Sequence, residues 1–244
     1  LPNHPFEQCG VWSLNIGELL MLTLHHLEYS QSFRILWLLE ELGAEYDLIV
    51  YQRDCKSSLA PDSLKTLSPL GTAPVITDGE IVMAESNAII DYLLDQYPES
   101  DLRPVAGDLD RTQYLFWLHT SQGTMMTFMT MDTVFQAVVK RVPWLIRGLI
   151  KEVFKQVTLR LIKPRLQKLL QRAELDLGNK PWFGGKKLSA ADIAMSYAME
   201  SAKYRGYITD EYPHCHSWFK RMHESPSFVS AKKKDGKESM VLPL

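Results

Sequence analysis

Tyr29-Ser30-Gln31-Ser32-Phe33-Arg34 lies between an extended apolar run, Leu22 to Leu27, and a strongly helical one, Ile35 to Leu42. A hydroxyl at a strand-to-helix junction can cap the helix, and it can project beside backbone N–H groups that favour an anion. A carboxylate, a phosphate or a thiolate would all satisfy that local chemistry. Downstream, Phe33, Leu36, Trp37 and Leu38 recur at helical spacing and Gly43 offers a left-handed stop. Tyr46 to Tyr51 is rich in β-formers and reads as a second strand, so strand, helix and strand imply a parallel crossover.

Pro61 to Leu67 predicts a short helix, and Ser68 to Pro74 a dense turn. Val75-Ile76-Thr77 and Ile81-Val82-Met83 flank Asp78-Gly79, a strong hairpin signal. Glu85-Ser86-Asn87 then opens a helix that ends near Tyr97-Pro98. The order is βαβαββα. Periodicity is lost over residues 102–110, and helical signals follow from Asp110 toward Met129 and from Pro164 to Leu177. Ser189 and Asp192 have capping-box spacing, with Leu188 and Ile193 placed as a hydrophobic staple, and Tyr212 to Arg221 reads as a closing helix.

The expected organisation is an extension at 1–20, an α/β domain at 21–101, a linker at 102–110, an all-helical domain at 111–228 and a tail at 229–244 that includes the short basic run Lys232-Lys233-Lys234. Met21 directly precedes the first strand and is a candidate natural start, and residues 1–20 lack the pattern of a secretory signal. The apolar fraction of 45% and charged fraction of 23% are those of an ordinary globular protein. A formal charge of −2 gives no reason to expect a nucleic-acid partner. Cys9, Cys55 and Cys215 are too widely spaced for a disulfide framework or a zinc site, so no metal is expected and a reducing compartment fits. From Lys140 to Lys168 nine basic residues face Glu152 alone, with Trp144, Leu145, Leu149, Val153 and Phe154 interleaved. Residues 138–168 therefore fit a solvated outer face, which is the expectation, or peripheral attachment to an anionic membrane.

The ordered set of a strand ending in a hydroxyl, a proline opening the third strand and Glu85-Ser86 at the last helix start resembles the glutathione transferase superfamily. Ser30-Gln31-Ser32-Phe33-Arg34 is similar to its serine-type junction, and the run from His25 to Asp54 is similar to a fungal and bacterial branch. The resemblance implies a thioredoxin-like domain followed by a helical one, in a cytoplasmic, homodimeric detoxification enzyme. It implies that Ser30 donates its hydroxyl to the glutathione thiolate, with Tyr29 the runner-up and Ser32 a surface residue of the first helical turn. Pro74 would be cis, presenting Ala73 to the cysteinyl backbone; Glu85 and Ser86 would hold the γ-glutamyl group. Gly71 stands where relatives often carry a polar side chain, so Arg53 or Lys65 is left for the glycine carboxylate. The second substrate would be an apolar electrophile, with Tyr114, His119, Gly123 and Met126 as candidates. Glutathione-dependent peroxide reduction stays open, as does a non-catalytic glutathione-binding, regulatory or assembly role.

Overall fold

The computed structural model describes residues 21–55, 57–68 and 70–242. Residues 1–20, with Cys9, lie outside the described residues. The first domain is built on β1 (Thr23–Leu27), α1 (Phe33–Leu42), β2 (Asp47–Tyr51), α2 (Asp62–Leu67), β3 (Val75–Asp78), β4 (Ile81–Ala84) and α3 (Ser86–Gln96). The sheet order is β2-β1-β3-β4, with β1 parallel to β2 and the other pairs antiparallel. This is the expected thioredoxin-like arrangement. α1 buries every residue from Phe33 to Leu39, and Gly43, at φ 62°, ends it in the left-handed region with its N–H returned to the last turn. Gly79 and Glu80 form the two-residue turn between Asp78 and Ile81, Gly79 taking φ 57°.

The second domain comprises α4 (Arg111–Thr120), α5 (Thr127–Arg141), α6 (Trp144–Val157), α7 (Lys163–Asn179), α8 (Ala190–Tyr204), α9 (Pro213–Glu224) and α10 (Pro226–Asp235). A π-helical turn at Ser121–Met126 joins α4 to α5, and another at Thr158–Ile162 joins α6 to α7. α8 is its axis, with eleven buried residues, and it starts from the predicted capping box. Trp117, Phe183 and Trp218 stack beside it with ring centroids 4.6 and 5.0 Å apart.

The stretch between Met129 and Pro164 is helical, in keeping with the expected all-helical domain: α5 continues to Arg141, and α6 follows after Val142-Pro143. α6 has no fully buried residue and Trp144 is 77% exposed; its Phe154 stacks on Phe135 of α5 with ring centroids 4.5 Å apart. Among the described residues no helix is long and apolar enough to cross a membrane. The expected tail is also ordered. Lys232–Lys234 form the last turn of α10, whose Phe228 sits edge-on to Phe33 and Trp37 of α1 at 5.3 and 5.2 Å. Beyond Gly236, Met240 and Val241 are buried again.

The loop before α8 carries one backbone requirement. Gly185 has φ 128°, and a Cβ there would lie 2.1 Å from Asp110 Oδ2, an atom that accepts the Lys186 N–H at 3.2 Å. The other Asp110 oxygen pairs with Lys180. Gly185→Ala is expected to cost about 2–4 kcal/mol through combined strain and loss of this network. Urea unfolding measures it, and a loss under about 1 kcal/mol would show that the loop simply shifts.

Candidate functional site

The strand register brings the sequence-distant signals to one edge of the sheet. Leu27 pairs with Tyr51 at the ends of β1 and β2, while Val75 at the start of β3 pairs with both His25 and Ala84. The Tyr29–Ser32 junction, the Ala73–Pro74 peptide and the Glu85–Ser86 helix start therefore share that edge. The Ala73–Pro74 bond is cis, as the resemblance implied.

Above this edge lies a cleft of about 580 Å³ between the domains. Tyr29, Ser30, Gln31, Arg53, Lys65, Thr72 and Ala73 line one side; Met126, Met129, Thr130, Thr133, Tyr197 and Arg205 line the other, with Val241 and Leu242 at its border. Ser30 Oγ lies 2.8 Å from the Leu27 carbonyl oxygen and 2.7 Å from Ser32 Oγ, and it accepts the Ser32 N–H at 3.2 Å. It thus sits beside the first N–H groups of α1, where the helix favours negative charge.

Ser32 is not the expected surface residue. It is fully buried, its Oγ accepts the Leu27 N–H at 3.0 Å, and it meets His26 Nδ1 at 2.8 Å. A hydroxyl in that position satisfies a buried backbone donor that would otherwise be orphaned. Tyr29 adopts φ 52°, and its carbonyl accepts from Arg53 Nη2 at 3.1 Å and from the Tyr197 hydroxyl at 3.3 Å. The Tyr29 backbone is thereby fixed to both domains.

Three arginines surround Tyr197. Arg34 is fully buried and lies 5.7 Å over the Tyr197 ring; its Nη1 donates to Gln31 Oε1 at 2.9 Å, while Nε and Nη2 lack partners. Burial pulls the Arg34 guanidinium down to about 9. Burial also pushes the Tyr197 phenol up, against the attraction of Arg53, Arg34 and Arg205. Of the three, Arg53 and Arg205 line the cleft, and their charge favours a thiolate or carboxylate there.

Arg53 spends its guanidinium on the backbone: Nε on Glu28 O, Nη1 on Ser58 O and Nη2 on Tyr29 O, at 2.9–3.1 Å. Lys65 is half exposed and pairs only with exposed Asp62, at 2.8 Å. Of the two cations suggested for a glycine carboxylate, Lys65 is the readier to change partner. Glu85 holds φ 75° at the start of α3 and is exposed, while the hydroxyl of Ser86 is buried there with no hydrogen-bond partner among the described residues. An unpartnered donor at a helix N-terminus is suited to an anionic group.

The comparisons with known proteins agree on one superfamily. Residues 30–96 match the family described as Glutathione S-transferase, N-terminal domain, and residues 129–226 match Glutathione S-transferase, C-terminal domain. The structure of a glutathione S-transferase from Actinobacillus pleuropneumoniae is similar at 30% identity and TM-score 0.71, covering 88% of this chain and 93% of that one. The chain belongs to the glutathione S-transferase family of enzymes. Glutathione S-transferase 3 of Schizosaccharomyces pombe is 28% identical over 91% of each chain. The theta-class enzyme of Xanthomonas axonopodis pv. citri, solved with glutathione bound, is 26% identical at TM-score 0.61, covering 86% of this chain and 96% of that one.

Within this transferase fold the candidates for the second substrate separate. Met126 lines the cleft. Tyr114 does not; it is a fully buried core residue, stacked under Arg111 at 5.4 Å, with its phenol pushed up to about 12 by burial. His119 and Gly123 are exposed and are not part of the cleft wall. Tyr114 sits on the face of α4 that packs into the core with Trp117 and Leu118, whereas His119 lies on its exposed side and Gly123 in the π-helical turn that follows. The wall opposite Ser30 also includes Tyr197, Ser201 and Arg205, at the C-terminal half and end of α8. Nothing in the local pattern marks them, because the capping-box helix carries only structural signals at its start.

Proposed function

We propose that this transferase ionises glutathione at Ser30 and adds the thiolate to an electrophile held between the domains. The observation that carries this is Ser30, which lines the cleft on the edge that also holds the cis Ala73–Pro74 peptide, its hydroxyl beside the start of α1. A free thiol near pKa 8.5 is mostly protonated at neutral pH, so its anion needs a donor, a helix N-terminus and nearby cations. Ser30, the start of α1 and the cleft-lining Arg53 and Arg205 supply them. Ala73 would pair with the cysteinyl backbone as an added strand. The γ-glutamyl carboxylate would take the Ser86 hydroxyl at the start of α3, with Glu85 for the ammonium.

Met126 and Met129 offer an adaptable apolar contact to the electrophile. A homodimer in the cytoplasm, supplied with reduced glutathione, fits the exposed apolar residues Ile81, Val82, Phe116 and Val134. Retention on immobilised glutathione and turnover of an activated aryl chloride test the proposal directly. Failure of both would leave a non-catalytic role. A higher turnover with hydroperoxides than with aryl chlorides would favour peroxide reduction.

Lys65→Ala is expected to raise KM for glutathione about fivefold while leaving kcat within about twofold, because an exposed cation contributes about 1 kcal/mol of uniform binding. Initial rates over a glutathione series measure it. An unchanged KM would remove Lys65 from the glycine carboxylate.

A further inference from the structure

The Ser30 hydroxyl is the outer end of a buried hydrogen-bonded chain. Ser30 Oγ meets Ser32 Oγ at 2.7 Å, Ser32 Oγ meets His26 Nδ1 at 2.8 Å, and His26 Nε2 meets Asp235 Oδ1 at 2.8 Å. Ser32 and His26 are fully buried, and Asp235 is 5% exposed. Ser30 is the member that reaches the cleft. The chain joins the Tyr29–Ser32 junction, through His26 of β1, to the C-terminal end of α10, where Asp235 lies 209 positions beyond His26.

The donors can be assigned from chemistry. A carboxylate at Asp235 only accepts, so His26 carries a proton on Nε2, and in the neutral imidazole Nδ1 is then the acceptor. Ser32 can then donate to Nδ1, with the Leu27 carbonyl oxygen at 3.1 Å as its other acceptor. Its oxygen already accepts the Leu27 N–H at 3.0 Å, and Ser30 Oγ lies 2.7 Å away, its own hydroxyl shared between Ser32 and the Leu27 carbonyl oxygen at 2.8 Å. Each hydroxyl can thus receive a proton from the cleft side while passing its own inward. Lys232 Nζ, 3.8 Å from Asp235 Oδ2, and Lys237, whose Nζ pairs with Glu28 at 2.5 Å, are the further charged groups on this side.

We infer that this chain carries the thiol proton of glutathione away from the sulfur to His26, through Ser30 and Ser32, with Asp235 holding the imidazolium that forms. The inference rests on Ser30 being the residue that meets the sulfur. In the step the S–H bond breaks and sulfur keeps the electron pair. The proton goes to Ser30 Oγ, that of Ser30 to Ser32 Oγ and that of Ser32 to His26 Nδ1. One N–H bond forms and both serines are unchanged. Every hydroxyl then points the other way, so Ser30 donates to the thiolate it has just produced. Once sulfur has bonded to the electrophile and the leaving group has departed with its electron pair, the proton returns from His26 through Ser32 and Ser30 to water in the cleft. His26 and Asp235 act through Ser30 and are positioning residues; the arrangement parallels the orienting role of the acid in a serine–histidine–aspartate triad.

The test combines the ultraviolet absorbance of the thiolate with proton release into weakly buffered indicator solution, using glutathione and, as the blank without a thiol, S-methylglutathione. For the unmodified protein, thiolate is expected to form with well under one proton released per thiolate; one proton per thiolate would overturn the relay and send the proton to solvent. In Asp235→Asn and His26→Gln the thiolate titration midpoint is expected to rise by about one pH unit, a roughly tenfold loss of thiolate below it. S-methylglutathione affinity should change by less than about twofold, which shows that the site is folded. A midpoint unmoved in Asp235→Asn, which preserves side-chain volume, also overturns the relay. Ser30→Ala separates the two ideas: if it leaves the midpoint where it was, the Ser30 assignment itself fails, whereas a shift in Ser30→Ala alone sinks only the relay.

Discussion

Ser30→Ala is expected to lower kcat/KM with an activated aryl chloride by about 10²–10³-fold, the usual cost of removing one preorganised donor from a developing or bound anion. The loss should fall on the population of thiolate, so raising the pH should restore part of it. Affinity for S-methylglutathione should hardly change, because Ala73, Ser86 and Lys65 are untouched. A small stability cost accompanies the change: Ser30 Oγ accepts the Ser32 N–H at 3.2 Å, and loss of one such bond costs about 1 kcal/mol. Steady-state kinetics across pH, beside a thermal melt, separate the two effects. If Ser30→Ala retains most activity while Tyr29→Phe loses it, the thiolate donor is Tyr29 and the junction has been assigned one residue too far along.

Asp192→Ala is expected to cost about 3–5 kcal/mol of stability, which for a chain of this size lowers the melting temperature by about 10 °C or more. The carboxylate is fully buried and accepts the Phe183 N–H at 2.7 Å, the Trp218 Nε1–H at 2.9 Å, the Ser189 hydroxyl at 2.9 Å and the Ser189 N–H at 3.1 Å. Alanine leaves all of these donors orphaned in the core, where each costs more than its bond contributed. A loss below about 1 kcal/mol in urea unfolding would mean that the donors find other partners.

Burial raises the Asp192 carboxyl to about 6 from an ordinary 3.8, despite the donors that pull it the other way. A raised value means that the fold binds the proton more readily than the unfolded chain does. The associated stabilisation is complete below about pH 4 and is lost as the pH rises to about 6, roughly 3 kcal/mol across that window. Asp192→Asn cannot titrate, and its stability should lack that slope.

Neither residue depends on its neighbours in sequence in the same way. Ser189 and Asp192 were legible as a capping box because both partners lie within one helical turn, and the helix α8 starts where that spacing puts it. The Asp-Gly hairpin, the Gly43 stop and Pro74 were legible for a related reason: each answers to the backbone preferences of one or two residues. Ser30 was marked by its place between a strand and a helix. Ser32, two positions on, was misplaced on the surface, since its burial depends on His26 and on a helix formed near the other end of the chain.

The same division explains the helical domain. Residues 138–168 showed basic and apolar residues interleaved, and α6 there has no fully buried residue, its Phe154 stacking on Phe135 of α5; Lys232–Lys234 looked like a tail because their helix is held by Phe228 against Phe33 and Trp37. Tyr114 was a reasonable candidate for the cleft by spacing along α4, yet it lies on the helix face that packs into the core, under Arg111.

Local sequence therefore determined the βαβαββα order, the anion-favouring junction at Ser30 and the cap of α8, since short-range backbone and hydrogen-bond chemistry suffices for each. Only the tertiary structure decided what surrounds Ser30. Tyr197 and Arg205 reach it from α8, and Asp235 reaches it through His26 from α10, because the packing of α1 against both helices brings together groups that no spacing along the chain relates.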